Sequence, residues 1–197
     1  MRTYEEALQS GSARADPVLR GTADMYVGMA ELHLERSELD LAVQKLQRSQ
    51  ELGKHAGLAQ NRYRWLVAMA RVREAQGELG SALELLSEAQ RSYAGDYFPN
   101  VRPVAAVRAR ALIAQGALGE AGDWAADQNL RISDELSYLR EFEYITLARL
   151  LLAQFAAERS PRSLDDANDL LARLLVAAEV GERTGRVIEI LVLQALA

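Results

Sequence analysis

The 197-residue chain contains no cysteine, which excludes a disulfide framework and any thiolate metal site. Histidine is nearly as scarce. His33 and His55 have no metal-ligating partner three or four residues on, so a packed or solvated role is expected for both. Basic excess is missing too: the formal net charge of −5 argues against direct nucleic-acid contact, whose affinity comes from Lys and Arg displacing counterions. No stretch approaches the roughly 20 apolar residues of a membrane span, and Met1-Arg2-Thr3-Tyr4-Glu5-Glu6 opens acidic helical text instead of a secretory leader. A cytoplasmic protein without membrane partners is expected. The sequence has no Gly-x-x-x-x-Gly-Lys-Ser/Thr phosphate loop and no basic helix-turn-helix. It also lacks a Ser, His and acid grouping and any paired carboxylates in apolar surroundings. Neither an enzyme nor a cofactor is expected. Proline stands only at Pro17, Pro99, Pro103 and Pro161, which leaves long uninterrupted segments for helices.

Those segments carry helical spacing. Leu39, Ala42, Val43 and Leu46 form one stripe, Leu79, Ala82, Leu83 and Leu86 a second, and Leu164, Ala167, Leu171 and Leu174 a third, all with the periodicity of one helix face. No alternation of period two points to a strand. One phrase also recurs: Ala70-Arg71-Val72-Arg73-Glu74-Ala75-Gln76-Gly77, Ala109-Arg110-Ala111-Leu112-Ile113-Ala114-Gln115-Gly116 and Ala148-Arg149-Leu150-Leu151-Leu152-Ala153-Gln154-Phe155, its leading alanines 39 apart each time (109−70 and 148−109). A fixed period of this size marks stacked supersecondary units that bury their apolar faces on one another.

Each unit divides into a first helix, A, and a second, B. Small residues recur in the A helices at Ala30, Ala70, Ala109, Ala148 and Ala195 and in the B helices at Ala42, Ala82, Ala121 and Ala167, where an antiparallel hairpin needs close approach. Both series lengthen by about seven residues at one place, which puts an insertion in the Glu158-Arg159-Ser160-Pro161-Arg162 turn. Gly77 and Gly116 suit left-handed helix ends. Ser37 with Asp40 and Ser163 with Asp166 suit capping boxes. Helices are expected near 20–35, 39–53, 60–76, 80–94, 101–115, 119–136, 140–157, 164–181 and 186–197. The fold class is thus all-α: a right-handed superhelix of stacked antiparallel helix pairs with a period of about 39–40, read as one array over 1–197. Tyr4-Glu5-Glu6-Ala7-Leu8 reads as the tail of a B helix without its partner, and Ile188 to Ala197 as an apolar A helix without a B helix. A fragment of a larger protein is expected, its last helix covered by self-association as a homodimer or by the preceding pair.

The succession of a large residue (Tyr26, Leu66, Tyr144, with Ala105 in its place once), a small one four later and another twelve further on resembles the tetratricopeptide signature, lengthened from its usual unit of about 34 residues. HEAT-like repeats fit the period better but lack this grammar of small residues. More specifically, Gly28-Met29-Ala30-Glu31-Leu32-His33-Leu34-Glu35-Arg36-Ser37-Glu38-Leu39-Asp40, the Ala-Arg-x-x-x-Ala-Gln-Gly phrases and the ending Arg183-Thr184-Gly185-Arg186-Val187-Ile188-Glu189-Ile190-Leu191-Val192-Leu193-Gln194-Ala195-Leu196-Ala197 resemble the helical sensor region of large MalT-like, LuxR-type transcription regulators. The resemblance implies a segment that receives a small-molecule inducer or protein effector. The nucleotide-binding and DNA-binding modules would then be supplied elsewhere in the parent protein. The alternative is a stand-alone scaffold that binds a peptide or protein partner.

The residue after each packing alanine is Glu31, Arg71, Arg110 or Arg149. In a tetratricopeptide-like array this position faces the concave groove, where the three arginines would stack, with Arg64 seven residues earlier in the second repeat. Planar guanidiniums there can grip a carboxylate, a phosphate or several hydroxyls. Arg64, Arg71, Arg110, Arg149, Glu31 and Glu74 are therefore the candidate ligand-binding residues. The competing reading pairs the arginines with Glu31, Glu35 and Glu74 inside the groove, without a ligand. Trp65 and Trp124 are expected to pack between helices, and Asp165, Asp166 and Asp169 to favour a helix start.

Overall fold

The computed structural model describes residues 3, 4, 6, 19–93 and 99–197. The described residues hold nine α-helices and no strand. In chain order these are α1 Thr22–Glu35, α2 Leu39–Ala56, α3 Asn61–Ala75, α4 Leu79–Ser92, α5 Val104–Gln115, α6 Leu118–Asp127, then the single 3-10 turn Tyr138–Arg140, α7 Glu141–Glu158, α8 Pro161–Val180 and α9 Thr184–Leu196. They form two compact units, Met1–Gly95 and Asp96–Ala197. In the first, α1 pairs with α2 and α3 with α4, and α3 also packs on α1 and α2. In the second, α5 pairs with α6 and α7 with α8; α5 packs on α7, and α9 lies on α8. The chain is all-α, made of stacked antiparallel helix pairs.

The alanine series explains the pairing. Ala30, Ala42, Ala82, Ala109, Ala121, Ala148 and Ala167 are fully buried, as is Ala70 to within 1%. A methyl group at each lets two helix axes approach closely while larger neighbours fill the space beside it. In the first unit that filling is a cluster of Val27, Leu46 and Val72 with Ala30, Ala42 and Ala68, with Trp65 and Met69 packed on it. Gly28 marks a second close approach: a Cβ there would stand 2.5 Å from the Tyr4 hydroxyl. Tyr4 and Glu6 of the expected leading helix tail are helical, whereas Glu5, Ala7 and Leu8 lie outside the described residues.

Gly77 and Gly116 take φ of 81° and 84° at the ends of α3 and α5, as expected. Ser37, 40 residues before Gly77, takes φ 59° at the same point of the first hairpin. That use of Ser37 overturns the capping box expected there, since α2 starts after Glu38 with no side-chain cap. The box at Ser163 is also absent, because Pro161, suited to the first helical position, starts α8 two residues earlier, after Ser160 and without a side-chain cap.

Two expectations on segment length are corrected. The helix expected over 119–136 stops at Asp127, where Asn129 turns left-handed with φ 51°. Polar contacts fasten the loop that follows. Arg173 donates to the carbonyls of Ile132 and Asp134, and the Tyr144 hydroxyl donates to Asp134 at 2.9 Å. The extra residues near 158–162 form no loop: only Arg159 and Ser160 separate α7 from α8, and the surplus lengthens these helices to 18 and 20 residues, against 12 in α5. The period instead runs straight on into α9. Val72, Ala111, Leu150 and Ile190, spaced 39, 39 and 40, are all buried, whereas Ala195, taken as the last packing alanine, is exposed. Ile190 and Leu193 turn inward from α9, and Ile188, Leu191, Val192 and Leu196 stay on its surface. Among the described residues no helix is long and apolar enough to cross a membrane.

Candidate functional site

In Met1–Gly95 the arginines expected to face the groove are paired. Arg64 on α3 donates to Glu31 on α1 at 3.2 Å and lies 3.9 Å from Asp24. Arg71, two turns further along α3, donates to Glu35 at 2.7 Å. Glu74, three residues beyond Arg71, is half-buried. These pairs are open to water: Glu35 keeps 64% of its side chain exposed and Glu31 41%. Screening and side-chain entropy leave such contacts worth a few tenths of a kcal/mol up to about 1.

The arrangement in Asp96–Ala197 is different in kind. Helix packing brings Arg110 of α5 and Arg149 of α7 onto the same carboxylate oxygen of Glu189 on α9, at 2.8 and 3.0 Å. The other Glu189 oxygen accepts from Arg186 at 2.7 Å. Arg186 also lies 3.5 Å from Glu141 at the start of α7, whose carboxylate takes Arg183 at 2.8 Å. Arg110 is held from a third side: its Nε donates to the Thr146 hydroxyl at 2.9 Å, and that hydroxyl donates to the Phe142 carbonyl at 2.7 Å. Its guanidinium lies 3.8 Å from the centre of the Phe142 ring, close enough for a cation–π contact. Four guanidiniums therefore share two carboxylates. The donor surplus leaves Arg110 Nη2 and Arg149 Nε buried without hydrogen-bond partners.

Burial and neighbouring charge set the proton affinities here. Burial pulls the Arg110 guanidinium down to about 10, and nearby Arg149 and Arg186 add to this while Glu189 opposes it. Burial alone would raise Glu189, but Arg110, Arg149 and Arg186 outweigh it and hold the carboxyl at about 2. Arg110 and Glu189 are both charged at neutral pH, and Glu189 stays so well into the acid range.

Beside it a hollow of about 350 Å³ opens, lined by Arg102, Tyr138, Phe142, Thr184, Arg186 and Glu189, among others. A larger one of about 690 Å³ lies in the first unit over Trp65 and Met69, with Glu84, Glu88, Arg73 and Arg91 on its walls. Trp65 packs on the core and donates to the Leu46 carbonyl at 2.8 Å. Trp124 is buried with its Nε1 unpartnered. His33 is buried with Nδ1 2.6 Å from Glu38, and His55 is solvated. Among the described residues no group of three or more His, Cys, Asp or Glu side chains could hold a metal ion.

The residue that sequence reasoning missed is Glu189. It stands 40 after Arg149, which stands 39 after Arg110, so the period itself names it. The alanine series carried on to Ala195 hides it, because that residue stands seven beyond Ile188, the position 40 after Ala148. The expected partners Glu31 and Glu35 do serve Arg64 and Arg71, but Arg110 and Arg149 find theirs on α9.

Comparison with known families matches the chain along residues 1–197 to the MalT-like TPR region. No curated protein and no solved structure matches it.

Proposed function

The chain belongs to the MalT-like TPR region family, and from that premise we propose that it is the signal-sensing array of a LuxR-type transcription regulator, receiving a small-molecule inducer or protein effector on its A-helix side. The observation that carries this reading is the half-buried charge cluster in which α5, α7 and α9 are joined through Glu189. An effector moves an equilibrium only by differential affinity for two arrangements. A carboxylate shared by arginines from two other helices supplies such a difference, since any ligand that engages Arg110 or Arg149 competes with the α9 contact. Binding, with no catalytic step, is the role assigned to the array.

The test uses the intact gene product that carries this chain, with a transcriptional reporter. Arg110→Ala and Arg149→Ala should each weaken the effector response by about ten- to a hundredfold in concentration, the loss of a hydrogen bond to a charged group, with helical content unchanged. An unaltered dose response in both variants refutes the proposal. A second reading, a scaffold for a peptide partner, is favoured by the 690 Å³ hollow, which Trp65 and Met69 line together with charged side chains. It would replace the first if the gene product carries no helix-turn-helix and transcription ignores both substitutions.

A further inference from the structure

Glu143 and Leu147 follow Trp65 and Met69 by the same 78 residues that separate Ala148 from Ala70, so the two pairs hold one place on the A helices α7 and α3. Their surroundings differ. Glu143 and Leu147 are 6% and 7% exposed, and on that side the chain lays its own non-helical segment 128–137 across α7 and α8. Tyr144, three residues before Leu147 and next to it on the helix surface, donates to Asp134. Arg140 donates to the Gln128 carbonyl at 2.9 Å, and Arg173 of α8 donates to the carbonyls of Ile132 and Asp134. The first unit is built otherwise before its A helix: α2 runs for 18 residues where α6 stops after 10, and only residues 57–60 separate it from α3. Trp65 and Met69 are accordingly half-buried, and the hollow of about 690 Å³ opens over them between α2 and α4.

The walls of this groove select its occupant. Trp65 spends its indole N–H on the Leu46 carbonyl and meets a ligand with its ring. Arg73 is committed to Gln76 and Glu78, and Glu88 to Arg62. Glu84 and Arg91 also line the groove and, among the described residues, have neither an ion pair nor a hydrogen bond. Seven residues apart on α4, they are separated by about 10.5 Å along the helix axis, roughly the length of three extended residues. Gln47 and Gln50 on α2 present side-chain amides from the opposite wall, each able to donate to and accept from a peptide backbone.

We propose that this groove binds an extended segment of a partner protein, with a basic residue at Glu84, an acidic one three positions away at Arg91, and an apolar side chain between them on Trp65 and Met69. The occupant is a polypeptide, because the corresponding place in the second unit takes one from the chain itself. The proposal rests on the peptide-partner reading above, names that partner's chemistry, and does not involve the cluster at Glu189.

Segment 128–137 supplies the probe, since it holds Arg131, Ile132 and Asp134 in the required order. A fluorescein-labelled, end-blocked peptide of that sequence, titrated by anisotropy against the 197-residue chain, should bind with a Kd below about 1 mM. Glu84→Arg and Arg91→Glu, both at exposed positions, should each weaken binding about fivefold or more, the effect of turning an exposed attraction into a repulsion. A peptide carrying Arg131→Glu should bind the wild-type chain poorly and regain affinity for Glu84→Arg. No binding of the parent peptide, or equal affinity in both protein variants and the wild type, overturns the groove and leaves the sensor reading to its reporter test. A gene product with a helix-turn-helix and a response lost in Arg110→Ala rejects the scaffold reading, while peptide binding lost in Glu84→Arg and Arg91→Glu still upholds the groove.

Discussion

Replacing Glu189 by Gln keeps the shape of the side chain and removes its charge. Arg110, Arg149 and Arg186, at 2.8, 3.0 and 2.7 Å, are then left without their shared counter-ion. The carboxyl titrates at about 2 in the folded chain against 4.5 unperturbed. At about 1.4 kcal/mol per pH unit that difference amounts to roughly 3 kcal/mol. Water reaches 17% of the side chain, so screening brings the expected loss at pH 7 to about 2–3 kcal/mol. Arg110 contributes in the opposite sense, since burial of its guanidinium is only partly offset by Glu189; removing the carboxylate leaves that cost unrelieved.

The pH dependence follows from the direction of the shift. The folded state holds the Glu189 carboxyl below its unfolded value, so its stabilisation is fully present above about pH 4.5 and is lost as pH falls towards about 2. The gap between wild type and Glu189→Gln should shrink to less than half its neutral value by about pH 3. Urea unfolding at pH 7, 5 and 3 reads this directly. In a Trp65→Phe background the buried Trp124 becomes the only tryptophan, and its fluorescence reports Asp96–Ala197 alone. A difference under about 0.5 kcal/mol at pH 7, or one that does not change with pH, refutes the argument.

Two further expectations concern the scaffold. Ala109→Leu forces a branched side chain into a fully buried contact and should cost about 1–3 kcal/mol in the same urea assay; a change within about 0.5 kcal/mol would mean that the alanine series does not set helix spacing. Gly116→Ala should destabilise by about 1–2 kcal/mol, because φ is 84° and there is open space around the Cβ position, so only the backbone objects. Gly122→Ala, inside α6 and equally unobstructed, should stabilise by about 0.5–1 kcal/mol. Thermal melts giving both glycine variants the same sign would contradict the assignment of these turns.

Periodicity makes the hairpins legible in the sequence, because a packing constraint met once per repeat must be written once per repeat. Ala70, Ala109 and Ala148 obey it, and so do the left-handed turns at Gly77 and Gly116. Capping boxes at Ser37 and Ser163 were misread because the same serine text serves a cap, a turn or a helix interior, and the neighbouring geometry chooses among them. The end of α6 was misread for a similar reason: Arg173, 41 residues away, holds the loop at Ile132, and no local pattern records such a contact.

The candidate site divides in the same way. Sequence by itself determined that arginine recurs at one helical position, since that follows from counting at a fixed period. Only the tertiary structure decided what each arginine meets. Arg71 faces Glu35 in water, whereas Arg110 lies half-buried against Phe142 and shares Glu189 with Arg149. Identical residues in identical register thereby acquire unequal energies, because the value of a charge depends on the solvent and counter-charges around it, and these are contributed by helices far apart in the chain.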